Sequence, residues 1–410
     1  MFGKIFSRAN SRSFTIDSSA RGRSTTLSSR AINPLRISRA IPRAREYTTT
    51  AAARKLWKKY PFSVSLAAFC ICAGAGSLLY TNYIYNTYIL GTFHNFPEPV
   101  AQKLRRALYF TNISLSPRDA VKYYRQALAV ADELGMDPFS DEILGVKIQL
   151  AALLERVQQY RKAIDVLEIV RRDCLAWVEL LGDKEGNEGK RTRVLGKTVG
   201  ISVKLGELYA GEYVQDREAA EERLVWAVET VLREKQRREK EGVKEGEGDW
   251  MTDEEIGGAL ESLAHHYEEK NQHYLAAPLF LQALALAPPK SCHAVVLMNN
   301  LSISLAQQTA SSPSSTTPPS STIEQTNLAS ATAWATKALT LSAAIPADQK
   351  TEECDVGCAV AMHNLGEFAE RAGKPDEARR WYGDARKTAQ ACGFQEGVLM
   401  AEEGRKRVAA

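Results

Sequence analysis

Between Leu260 and Pro288 the chain places Leu260, Leu263, Ala264 and Tyr267, then Ala276, Phe280 and Ala283, and finally Pro288. Steps of three and four put the first four on one face of a helix. The next three share one face of a second helix. Small side chains at Ala264, Ala276 and Ala283 let the two backbones approach, and Tyr267 and Phe280 fill the space beside them. Pro288 stops the second helix, because it has no N–H and its ring collides with the preceding turn. Thr252 and Glu255 have the spacing of a capping box that starts the first helix. A chain built on this stretch folds as helical hairpins. One hairpin cannot bury its own apolar face, so neighbouring hairpins are expected.

The unit has the length and pattern of a tetratricopeptide (TPR) repeat of about 34 residues, in which these residues occupy positions 4, 7, 8, 11, 20, 24, 27 and 32. The same register returns at Met362, Leu365, Gly366, Ala369, Ala378, Tyr382 and Ala385. Leu150, Ala151, Leu154, Ala163, Leu167 and Val170 repeat it again. With longer loops it accommodates Leu205, Gly206 and Tyr209 with Ala220, Leu224 and Ala227. It also accommodates Leu301, Ser302 and Leu305 with Ala331, Ala335 and Ala338. A degenerate first unit has Leu104 and Leu108, then Ala120, Tyr124 and Ala127. The expected fold is therefore all-α, a TPR-like helical-hairpin solenoid over residues 100–410. Residues 309–326, rich in Ser, Thr and Pro, form a disordered insert between the two helices of the fifth unit. Arg233 to Glu241 is expected to run out into solvent as a charged helix end.

Ahead of the solenoid the composition changes. Residues 1–60 carry 14 Lys and Arg against 2 acids, net +12, whereas the remainder carries 39 against 47, net −8. The basic charge is thus a targeting feature and does not imply nucleic acid as a partner. Residues 1–47 are Arg-rich, Ser-rich and acid-poor, the composition of a mitochondrial presequence, which is expected to be disordered. A basic flank covers 48–60. Residues 61–84 read as a transmembrane helix, with an uncharged apolar run of 18 residues from Phe62 to Leu79 and tyrosines at one border. Residues 85–99 are a linker. Arg54, Lys55, Lys58 and Lys59 hold the N-terminal end in the matrix by the positive-inside rule, which puts the solenoid in the intermembrane space.

Seven cysteines show no paired framework. Cys174, Cys292 and Cys392 stand alone on helices, and Cys354 and Cys358 lie one turn apart. A local link between the last two is possible on spacing, and burial as small hydrophobes is the favoured expectation. His265, His266 and His273 lack the partners of a metal set, and no phosphate loop or nucleophile elbow occurs. The expectation is a non-enzyme with no cofactor, no metal and no small-molecule substrate. Its candidate binding surface is the concave face lined by the first helix of each hairpin. The residues expected there are Ile148, Glu155, Val203, Glu207, Glu261, His265, Glu268, Asn299, Ile303, Val360, His363, Glu367 and Glu370. Such a groove is acidic with apolar spots and suits basic or apolar polypeptide segments.

Leader, single span and degenerate solenoid occur together with Tyr109-Phe110-Thr111, Asp119-Ala120, Tyr123-Tyr124, Ala127-Leu128 and the helix Met362-His363-Asn364-Leu365-Gly366-Glu367. In these features residues 60–410 resemble the fungal TPR subunit of the mitochondrial inner-membrane i-AAA protease supercomplex. That resemblance implies an adaptor that binds unfolded or misfolded polypeptides and delivers them to the i-AAA protease alongside a co-adaptor. The alternative function is an assembly factor for a respiratory-chain complex in the same membrane.

Overall fold

In the computed structural model, residues 57–84, 93–308 and 321–409 are described. The leader 1–47, most of the flank 48–60, residues 85–92 of the linker and residues 309–320 of the insert lie outside them. Among the described residues every regular element is a helix. The chain divides into two compact units between Met136 and Asp137.

The first unit contains α1 (Pro61–Ile84), α2 (Glu98–Asn112) and α3 (Pro117–Glu133). Helix α1 has 24 residues, no charged side chain and no buried residue. A water-soluble helix would bury such a surface, so α1 is long and apolar enough to cross a bilayer. Helices α2 and α3 form a hairpin in which Ala107, Ala120, Tyr124 and Ala127 are buried. The Tyr124 hydroxyl accepts a hydrogen bond from Thr111 at 3.4 Å. Pro at the start of each helix costs no hydrogen bond, because the first N–H groups of a helix have no internal acceptor.

The second unit is a run of antiparallel hairpins. It comprises α4 (Asp141–Arg156), α5 (Tyr160–Leu181), α6 (Glu188–Ala210), α7 (Arg217–Glu241), α8 (Asp253–Glu269) and α9 (His273–Leu286). It continues with α10 (Cys292–Gln307), α11 (Ser321–Ala344), α12 (Glu352–Arg371), α13 (Pro375–Ala391) and α14 (Gln395–Ala409). Each helix packs mainly on its sequence neighbours, the contact pattern of a solenoid.

The register read from the sequence is the register of the core. Ala163, Ala220, Ala276, Ala331 and Ala378 occupy the same repeat position and are fully buried. So are Phe280 and Tyr382, which fill the space that the small residues leave. A Cβ added to Gly206 would come within 2.4 Å of the Leu224 side chain, and one added to Gly366 within 2.7 Å of the Tyr382 ring. Position 8 is small because its partner at position 24 is large.

The turns inside the hairpins share one device. Gln158, Asn271 and Gly373 take left-handed φ values of 62°, 56° and 72°. The next residue then donates its N–H back five positions, from Gln159 to Leu154 O, Gln272 to Tyr267 O and Lys374 to Ala369 O, at 2.8–2.9 Å. These bonds satisfy carbonyls that the helix end leaves open. Thr252 and Glu255 form the expected capping box.

Three expectations change. The expected disordered insert 309–326 overlaps α11, which begins at Ser321; helical backbone extends ahead of the apolar face of the fifth unit's second helix. The charged end of α7 is solvated on one side only: Arg233, Glu239, Lys240 and Glu241 are exposed, but the opposite side folds onto the protein. Glu234 and Glu247 are buried, and Arg237 donates to both at 2.6 Å. Arg238 donates to Glu234 at 3.0 Å, to the Gly248 carbonyl at 2.9 Å and to Thr192 at 3.1 Å. The alternating charges of this segment face each other across the loop that leads to α8, so each buried carboxylate has a guanidinium beside it. Third, Cys292 and Cys354 form a disulfide, whereas Cys358 stays a thiol that donates to the Ser342 hydroxyl. The partners are 62 residues apart, so only the side-by-side packing of α10 and α12 reveals the pairing.

Candidate binding groove

Helices α4, α6 and α8 line a cleft of about 560 Å³. Its apolar lining includes Ile148, Ala152, Val203 and Met251, and Gly196, Gly200 and Gly258 form much of its floor. No heavy atom lies within 4 Å of a Cβ built on Gly200 or Gly258, so packing does not demand these glycines. Glycine inside a helix costs about 1 kcal/mol relative to alanine. The consequence here is an open floor that lets another chain approach the α6 and α8 backbones. Glu155, Lys204 and Glu207 form one polar border. Lys204 donates to Glu155 at 2.9 Å and to Glu207 at 3.4 Å. Burial opposes its charge, but the two carboxylates outweigh this and raise its pKa above the ordinary lysine value.

Farther along the same series, α8, α10 and α12 carry a chain of alternating acids and imidazoles. Glu268 meets His265 Nδ1 at 3.3 Å, and Glu261 meets His265 Nε2 at 3.4 Å. The second Glu261 oxygen is 3.1 Å from His293 Nε2, and His293 Nδ1 is 3.2 Å from Glu353. Each ring lies between two carboxylates, so each N–H donates to an anion when the ring is protonated. Burial works against the His265 charge, yet Glu261 and Glu268 raise its pKa to about 9. Hydrogen bonds to Glu261 and Glu353 outweigh burial at His293 and raise it to about 10. Burial also disfavours the Glu261 carboxylate, but the two imidazoles bring it down to about 2.

The expected groove residues fall into distinct settings. Ile148, Glu155, Val203 and Glu207 line the cleft together. Glu261, His265 and Glu268 belong to the acid–imidazole chain. Ile303 and Val360 are half-buried on α10 and α12. Asn299 is only 2 % exposed and donates to the Gly357 carbonyl at 2.8 Å, so it joins α10 to α12 and is not a groove residue. His363 is 8 % exposed, packs against the Tyr382 ring and lies 3.7 Å from Glu367. The neighbouring His363 imidazole is the main reason why the Glu367 carboxyl titrates lower than usual. Glu370 accepts from the Tyr382 hydroxyl at 2.6 Å and from Arg407 at 3.3 Å.

The expected free acidity of the groove is therefore largely compensated within the chain. Sequence reading located the carboxylates but missed Lys204, His293 and Arg407, because each reaches a partner on another helix. The one local signal was the i, i+3 pair Lys204 and Glu207. The glycines at 196, 200 and 258 also went unread, since they fall outside the small positions that hairpin packing needs.

No family profile matches this chain. A TPR repeat-containing protein of Schizosaccharomyces pombe is 28 % identical over 315 residues, which cover 75 % of this chain and 77 % of that protein. Among solved structures, BtubC from P. vanneervenii is 15 % identical with a TM-score of 0.42, covering 72 % of this chain and 91 % of its own. A Podosopora anserina chain of nearly identical TPR-like repeats is 13 % identical, also with a TM-score of 0.42, covering 63 % and 99 %. The molecule is a TPR-like helical solenoid with one helix able to cross a membrane. TPR repeats suggest protein partners.

Proposed function

We propose that this protein is a membrane-anchored adaptor of the mitochondrial inner membrane. Its solenoid lies in the intermembrane space, binds unfolded or misfolded polypeptide segments and hands them to the i-AAA protease. The observation that carries the reading is the cleft of α4, α6 and α8, which combines an open glycine floor, apolar walls and carboxylates already paired with Lys204. Such a surface suits extended segments that expose small and apolar side chains. It gains little from a strongly charged ligand, because charged partners would compete with an existing ion pair. A folded protein hides those segments and an unfolded one shows them, so this chemistry selects for the unfolded state. The resemblance of the leader, span and repeats to the protease-adaptor family supplies the recipient of the cargo.

The test is affinity purification of the tagged full-length protein from mitochondria in mild detergent, followed by mass spectrometry of the bound proteins. Co-purification of the i-AAA protease, together with longer half-lives of misfolded intermembrane-space proteins after deletion, is the expected result. Recovery of respiratory-complex subunits without the protease, with proteolysis unchanged, would replace this reading with the assembly-factor alternative.

A further inference from the structure

Cys292 and Cys354 each lie in the first turn of a helix, α10 and α12, and their disulfide is buried between them. The residue after Cys292 is His293, and the residue before Cys354 is Glu353. The disulfide and the His293–Glu353 contact of 3.2 Å therefore clamp the same two helix ends. Between the two cysteines in sequence lie all of α11 and the insert, which lengthens the connection from α10 to its hairpin partner. Packing α12 directly on α10 closes a loop of 62 residues, and a covalent bond removes that closure from the unfolded chain.

We propose that oxidation of Cys292 and Cys354 is a maturation step that locks α12 onto α10 and thereby completes the acid–imidazole chain on the concave face. The oxidant class is a protein or small-molecule disulfide carrier. The Cys292 thiolate attacks one carrier sulfur and releases the other as a thiolate. The Cys354 thiolate then attacks the Cys292 sulfur of the mixed disulfide and releases the second carrier thiolate. Two protons pass from the cysteines to the carrier and two electrons reduce it, so the exchange balances. Cys292 is the better first nucleophile. It sits at the positive end of α10 with Ser291 and His293 as neighbours, whereas Glu352, Glu353 and Asp355 surround Cys354 in sequence. Cys354 has no exposed surface and Cys292 only 6 %, so the reaction precedes final packing and the finished bond is shielded from reductants. The clamp thus acts at folding, and it ties completion of the concave face to an oxidising compartment.

The experiment refolds the full chain in detergent with oxidised or with reduced glutathione. It then maps disulfides in a non-reduced digest, follows proteolysis of the segment from α10 onward, and titrates the histidine imidazoles by NMR. Only six histidines occur, which keeps that titration resolvable. The expected result is a Cys292–Cys354 peptide, and protease resistance and a strongly raised His293 midpoint only after oxidation. The double variant Cys292→Ser/Cys354→Ser should behave as the reduced chain, its His293 midpoint falling by at least about one unit toward the ordinary 6.5. Failure of that variant to refold, where the oxidised wild type refolds, also supports the clamp. Glu353→Gln keeps the cystine and should lower the His293 midpoint while leaving protease resistance intact. An all-thiol or Cys354–Cys358 digest overturns the proposal. So does a reduced chain with unchanged resistance and His293 midpoint, or a Glu353→Gln chain as protease-sensitive as the double variant.

Discussion

Replacing Gly366 by alanine tests the packing rule that builds every hairpin. A Cβ at Gly366 falls 2.7 Å from Cδ1 and Cε1 of Tyr382, well inside the 3.4 Å at which ordinary contact begins. The ring cannot retreat. On α14 a Cβ at Gly404 would stand 2.6 Å from the same ring, so Tyr382 is held between two glycines. Its hydroxyl is also fixed, donating to Glu370 at 2.6 Å and accepting from Arg407 at 3.2 Å. Overpacking of this kind costs about 1–3 kcal/mol, and a ring with no free side belongs at the upper end. Alanine returns about 1 kcal/mol of helix propensity. The net loss is about 2 kcal/mol, or roughly 4–8 °C in Tm for a unit of this size. Far-UV circular dichroism of the detergent-solubilised protein measures it. Tyr382→Ala alone should cost about 3–5 kcal/mol through the cavity it leaves. In that background Gly366→Ala should become neutral or stabilising, because the obstacle is gone. A Gly366→Ala protein that melts at or above the wild-type temperature would refute the reasoning, as would equal effects in both backgrounds.

The acid–imidazole chain predicts a pH dependence. His265 and His293 have folded pKa values above the ordinary 6.5, so their stabilisation is complete below pH 6.5 and disappears as pH rises through about 9–10. Discounting for the partial exposure of both rings, denaturant titrations should show about 2–3 kcal/mol lost between pH 6.5 and 10, and His293→Asn should flatten that slope. Arg237→Ala leaves Arg238 as the one guanidinium paired with the buried Glu234 and Glu247, the second of these only at 3.8 Å, and should destabilise by about 3–5 kcal/mol in the same denaturant assay. Gly200→Leu places bulk in the open cleft and relieves a helix glycine. It should leave Tm within a few degrees of wild type while weakening binding of an unfolded apolar polypeptide at least about fivefold by fluorescence anisotropy. Unchanged binding would move the interface away from the cleft.

The repeat register was legible in the primary structure because it is local. Ala276, Phe280 and Ala283 declare one helix face by spacing alone, and Gly366 opposite Tyr382 declares a close approach of two helices. The apolar, uncharged run of α1 declared a helix able to cross a bilayer for the same reason, since length and composition are sequence properties. The groove was half legible. Which residues sit on the first helix of each hairpin follows from the register, and Ile148, Glu155, Val203 and Glu207 do meet in one cleft. Their electrostatic state does not follow, because charge compensation depends on distance in space. Lys204 reaches Glu155 from the next repeat, and His293 reaches Glu261 from one side and Glu353 from the other. The buried ends of Glu234 and Arg238 and the disulfide between Cys292 and Cys354 belong to the same class. Periodicity names the face a side chain occupies. The stacking of one hairpin on the next decides what that side chain touches, and with it the side chain's charge, bond or burial.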